Sequence, residues 1–85
     1  MEYELYVIYD SASGHYTVPM AQDNDTVAIR GFVNEGMKEG SIWNTHPQDF
    51  TLYRVGTYYI NTGEIIASQT PEKVCNLADY IRKEK

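Results

Sequence analysis

Cysteine is almost absent from this 85-residue chain. One thiol, Cys75, cannot close an internal disulfide. Together with only His15 and His46, far apart in sequence, it makes none of the paired-cysteine or short-spaced patterns that hold zinc, so neither a metal nor a cofactor is expected. Long apolar runs are missing too. No stretch is long enough to span a bilayer and none resembles a secretion signal, which points to a cytoplasmic protein with no membrane partner. Cations are scarce: seven Lys and Arg stand against twelve Asp and Glu, for a net charge of −5. Affinity for a polyanion comes from Lys and Arg displacing condensed counterions, so this balance opposes non-specific nucleic-acid binding, and symmetric assembly multiplies the opposition. A catalytic constellation is also lacking. His46 and Asp49 have the spacing of a capped turn, and no nucleophile, oxyanion hole or cofactor loop accompanies them, so an enzyme is not expected.

What the chain does have is aromatic surface, 13% of its residues, with eight tyrosines. Residues 1–85 make one domain, and a chain this short buries only roughly 60 to 65% of its unfolded surface. Its core is therefore thin. Large tyrosine surfaces exceed what such a core hides, and self-association supplies the remaining burial, so a homo-oligomer is expected.

The segment from His46 to Tyr58 organises the rest. Pro47 fixes its own φ and pushes His46 out of the helical region, and Asp49 bonds forward to nearby amides, so a shaped turn precedes Phe50. From Phe50 to Ile60 the residues are mostly aromatic or β-branched, as a half-buried strand requires, and Gly56 marks a bulge or a close backbone approach. Earlier, Tyr3 to Tyr9 alternates as a strand, with Tyr3, Leu5, Val7 and Tyr9 on one face and Glu4, Tyr6, Ile8 and Asp10 on the other. Ser11–Gly14 turns the chain into a second strand over His15–Met20, and Pro19 ends that strand or places it at an edge.

Gln22–Asp25 supplies N-caps for a helix whose apolar residues Ile29, Phe32, Val33 and Met37 recur at spacings of three and four. Gly40 would be its C-cap, and Gly31 and Gly36 would permit close packing on the sheet. Ser41–Asn44 is a connector in which Trp43 either pins the loop over the core, the favoured reading for so large a ring, or projects as an anchor for a partner. Asn61–Gly63 then turns strand three into strand four, Glu64–Ser68. Thr70, Pro71 and Glu72 read as an N-cap, first-turn proline and early acid of a final helix bearing Val74, Leu77, Ala78 and Ile81 inward, with Cys75 beside them, and ending in Arg82, Lys83 and Lys85. The expected class is α+β: a β-β-α-β-β-α order with a mostly antiparallel four-stranded sheet and helices on one face.

Six pieces of the chain, in order, resemble one family. They are Ile8-Tyr9-Asp10; Tyr16 with Pro19; Asn24-Asp25 leading to Ala28-Ile29-Arg30 and Phe32; His46-Pro47-x-Asp49-Phe50-x-Leu52-Tyr53-x-x-Gly56; Thr62-Gly63; and Pro71. Together they resemble the small nonstructural protein of gokushovirus-type microviruses, phages with circular single-stranded DNA. The resemblance implies a nonstructural phage protein in the cytoplasm of the infected bacterium, outside the mature virion. It further implies DNA binding and a link to genome replication or to single-stranded DNA synthesis for packaging. His46, Pro47, Asp49 and Gly56 then serve the fold of the motif rather than a ligand.

Two functions compete on the residues. In one, Tyr53 and Tyr58 on a sheet face stack unpaired bases beside Arg54, while Arg30 and Lys38 reach phosphates. In the other, tyrosine is used for its strand propensity and for contacts between subunits, and the chain is an acidic homo-oligomeric module engaging a replication initiator, a host replication factor or a procapsid component.

Overall fold

The computed structural model describes residues 1–81, in which alternating side chains build β1 (Glu2–Asp10), β2 (His15–Tyr16) and β3 (Met20–Gln22) before the helix α1 (Asp25–Gly36). A one-turn helix α2 (Ile42–Thr45) and a 3-10 turn (Pro47–Asp49) lead into β4 (Phe50–Tyr59) and β5 (Glu64–Asn76), and a second 3-10 turn (Leu77–Asp79) follows. All pairing is antiparallel. β1 lies between β4 and an edge made by β2 and β3 in succession, and β5 forms the opposite edge. This is the expected α+β class with helices on one face, with five strands rather than four because the strand over His15–Met20 is split. The split falls at Thr17–Pro19, where Pro19 has no amide to give. There the Thr17 hydroxyl accepts from the Ile8 amide at 2.9 Å, and the Thr17 amide donates to the Ile8 carbonyl.

The helix begins where capping chemistry dictates. Asn24 accepts from the Val27 amide at 3.0 Å, and Asp25 sits in the first turn. It ends earlier than expected, at Gly36 with Met37 as C-cap; Gly40 instead takes positive φ in the following turn. Met37 is exposed, not inward. Gly36 does permit close approach, since a Cβ there would lie 2.7 to 2.9 Å from side-chain carbons of Ile81 and Leu77, whereas Gly31 meets nothing. The buried core joins Tyr6, Ile8, Phe32, Phe50, Leu52 and Leu77, with Ala28, Cys75 and Ile81. Trp43 packs against it, 5.5 Å from the Phe32 ring and 5.3 Å from Phe50, so the connector is pinned as its sequence suggests.

Over the described residues 70–81 the expected final helix does not form. Glu64–Asn76 is one long strand, and Val74, Cys75 and Asn76 belong to its end. Thr70-Pro71-Glu72 has a helix-starting pattern, but a strand edge with a bulge tolerates the same proline. Between the pairs Gly56↔Ala67 and Arg54↔Glu72, four residues of β5 stand against Val55 alone, and Pro71 is among them. Long-range pairing of Glu72 with Arg54 and of Cys75 with Leu52 outweighs the local preference. Asn76 and Asp79 then cap the short turn reciprocally. The helix-ending cations Arg82, Lys83 and Lys85 lie outside the described residues.

Gly56 sits at the β4 irregularity, as anticipated: a Cβ on it would come within 2.6 Å of the Ile66 carbonyl oxygen. Gly63, at φ +77, closes the β4–β5 hairpin.

Candidate nucleic-acid interface

Strand alternation sorts side chains onto two faces, and the register carries the sorting across the sheet. Tyr6, Ile8, Leu52 and Cys75 point to the helices. Glu2, Glu4 and Asp10 share their parity on β1, His15 is paired to Asp10, and Arg54 to Tyr6. Glu64, in register with Tyr59, and Glu72, in register with Arg54, complete the helix-side set. Every strand carboxylate therefore lies on the helix side. The other face, which none of the described helices covers, holds Tyr3, Leu5, Val7 and Tyr9 of β1, Tyr16 of β2, Tyr53 and Tyr58 of β4, and Ile65 of β5. Lys73, in register with Tyr53, is its one charged strand residue.

Three of these rings touch in series. The centroids of Tyr9 and Tyr16 are 4.7 Å apart with planes tilted by 41°, and Tyr16 meets Tyr53 edge-on at 5.9 Å. Tyr16 is 52% exposed, so the row is open to solvent. Tyr58 stands further along the same face, opposite Tyr3.

Arg54 is on the other side and is already engaged. One guanidinium nitrogen, Nη1, donates to both oxygens of Asp25 at 2.7 and 2.8 Å, and Nη2 and Nε donate to Glu72 Oε1 at 2.7 and 3.2 Å. The Tyr6 hydroxyl donates to Asp25 Oδ1 at 2.5 Å. These bonds fix the charge states. The Tyr6 bond, aided by Arg54 and opposed by partial burial, holds the Asp25 carboxyl below the usual carboxylate range. Burial first, and then Asp25, raises the Tyr6 phenol, while the bonds to Asp25 and Glu72 raise the Arg54 guanidinium. A cation holding two carboxylates is neutralised as a phosphate ligand.

The sequence candidates thus divide. Tyr53 and Tyr58 share the open face; Arg54 does not join them. Arg30 lies on α1 and Lys38 in the turn just after it, both exposed in the helix layer, with Lys38 Nζ 2.8 Å from Glu35. Lys73, Tyr9 and Tyr16 complete the aromatic row; Lys73 had been hidden by the expectation of a helix over its segment. Of the turn residues, Pro47 is buried, the His46 ring nitrogen Nδ1 is 2.9 Å from the Thr45 hydroxyl, and Asp49 accepts from the Ser11 hydroxyl at 3.3 Å. The Asp49 carbonyl also accepts from the Ser11 amide, which ties this turn to the first hairpin. Cys75 is buried against the core, and desolvation raises its thiol to about 11.

Fold and surface together define a small antiparallel α+β domain, helix-covered on one side and tyrosine-lined on the other. The chain belongs to the Phage ORF5 protein family, whose model matches residues 3–80, and is thus a phage protein. No curated protein and no solved structure matches it. Among the described residues no helix is long and apolar enough to cross a membrane.

Proposed function

We propose that the protein binds single-stranded DNA on the open sheet face during infection, as a nonstructural, non-enzymatic protein of a microvirus of the gokushovirus type. It acts in the cytoplasm of the infected bacterium, in genome replication or single-strand synthesis. One observation carries this reading: the carboxylates of the described strands are sorted away from the tyrosine row. Phosphates approaching Tyr9, Tyr16, Tyr53 and Tyr58 meet Lys73 and no strand carboxylate. A carboxylate-free strip lets a chain of net charge −5 accept a polyanion locally, and base–aromatic stacking supplies affinity that few cations could. With Lys73 as the one strand cation on that face among the described residues, binding is stacking-led and only weakly salt-dependent.

The test is fluorescence anisotropy of labelled single-stranded and duplex oligonucleotides across a salt series. Preferential single-strand binding with a shallow salt slope is expected. Absence of binding even in dilute buffer overturns the reading.

A second reading is favoured by the helix side, where Glu35 lines an apolar groove of about 160 Å³ with Met20, Phe32 and Trp43, on the sheet side that also carries the strand carboxylates. Acid around an apolar cleft suits a basic protein segment, such as one from a replication initiator, a host replication factor or a procapsid component. Pull-down after nuclease treatment separates the two readings, because a contact bridged by DNA disappears and a direct one survives.

A further inference from the structure

The core gathers Tyr6 and Ile8 of β1 and Phe50 and Leu52 of β4. One end of the sheet, Glu2–Leu5 with Gly56–Tyr59 and Glu64–Ala67, contributes no residue to that core and projects as an arm, three-stranded beyond the β3 pairing at Glu4 and Leu5. The molecule measures 48 × 23 × 17 Å, and its radius of gyration is 13.5 Å. A compact domain of 85 residues has a radius of gyration of about 12 Å. Its accessible surface is 5708 Å², against roughly 5,200 Å² for a compact monomer of 9.8 kDa. The arm accounts for much exposed apolar surface: Ile65 and Ile66 lie on it, 61% and 50% exposed, and exposed Met1 and Ile60 adjoin its end. Small ribbons of this kind need a further layer or further strands for stability.

The outer edge of the arm is β5, and its protection is uneven. The bulge, Pro71 and the charges of Glu72 and Lys73 all fall in its second half. Glu64–Ala67 has a regular register, no proline and two exposed isoleucines pointing to opposite faces. An open, regular, apolar edge is a template for another strand.

We propose that Glu64–Ala67 of two copies pair edge to edge, antiparallel, about a two-fold axis at Ile66. Strand geometry selects that register. A two-fold axis normal to a sheet keeps each residue on its own face, so the numbers of paired residues must sum to an even value. Centring on Ile66 sets Ile65 against Ala67 of the second copy and Glu64 against Ser68, so no carboxylates meet. Centring one residue earlier would set Ala67 against Gly63 of the turn, and one further on would leave Ala67 alone paired within the regular segment. The excess surface of about 500 Å² per copy, doubled, reaches the lower limit of specific interfaces, so the dimer is of modest affinity. The same symmetry puts both tyrosine faces on one side, joining them and their two Lys73 side chains into a single continuous surface. The pairing does not depend on DNA binding.

The test is sedimentation velocity on the full chain from low micromolar to submillimolar concentration, with Ile66→Lys and, as control, Ile42→Lys at an exposed site on α2. A concentration-dependent dimer is expected for the wild type and for the control, with the dissociation constant raised roughly tenfold or more by Ile66→Lys. A monomer throughout the range, or a dimer indifferent to Ile66→Lys, overturns the proposal. Should Ile66→Lys lose its native circular dichroism, Ile66→Cys decides. Residues at the axis face each other, so oxidation should yield a covalent dimer, and its absence counts against the pairing. Oligonucleotide anisotropy run in parallel keeps the two proposals apart: a dimer that ignores DNA defeats only the first, and a monomer that binds it defeats only the second.

Discussion

Arg54 grips Asp25 with a single nitrogen shared between both carboxylate oxygens, at 2.7 and 2.8 Å, and so ties the middle of β4 to the first turn of α1. Tyr6 reaches the same carboxylate from β1. Three elements distant in sequence meet at one acid, which makes Asp25 a pin of the fold rather than part of a ligand site.

Replacing Arg54 with Met should lower the unfolding free energy by about 1 to 2 kcal/mol, a partly solvated network being worth less than a buried one. Oligonucleotide affinity of the folded variant should stay within about twofold, because the lost charge lies on the wrong face. Urea titration and anisotropy read the two effects separately.

Asp25 also sets an acid limit. Its folded pKa is depressed, so its stabilisation is fully present above the ordinary carboxylate pKa, near 4, and drains away as pH falls through the lowered folded value. Asp25→Asn should be less stable than the wild type at neutral pH, and the gap should narrow below about pH 4. Urea midpoints measured at neutral and acid pH check this; a gap constant with pH contradicts it.

On the open face, Tyr53→Ala should weaken single-strand binding by roughly 5- to 100-fold, the range for losing one base-stacking ring. Tyr59→Ala, on the helix-side parity of the same strand, should change it far less. Lys73→Ala should flatten the salt slope by about 0.7 for the one phosphate contact it removes.

Two glycines should respond oppositely to alanine. Gly31→Ala adds a methyl that meets nothing, and should stabilise the helix by roughly 0.5 to 1 kcal/mol. Gly56→Ala drives a Cβ to 2.6 Å from a backbone oxygen that cannot rotate away, and should cost about 2 kcal/mol or more. Thermal melts of both variants give the sign directly.

Much of this was legible in the chain. The alternation of β1, the Asn24 cap, the turn ending at Gly63 and the inward Trp43 all rest on neighbours close in sequence. The fate of Thr70-Pro71-Glu72 was not. A proline followed by an acid starts a helix or sits in an edge bulge equally well, and the deciding partner of Glu72 is Arg54, 18 residues earlier. The candidate site was half visible for the same reason. Adjacent strand residues must face apart, which separates Tyr53 from Arg54 by rule. That Lys73 stands beside Tyr53 depends on how many residues the β5 bulge absorbs, and no local pattern encodes that number.

The Thr17 hydroxyl that takes the Ile8 amide, with Pro19 just beyond, stoppers one margin of the sheet. The margin left long and regular for adding strands is then β5, and a single symmetric partner there would use it up. The pairing proposed above would therefore halt at two copies instead of running on into a fibre.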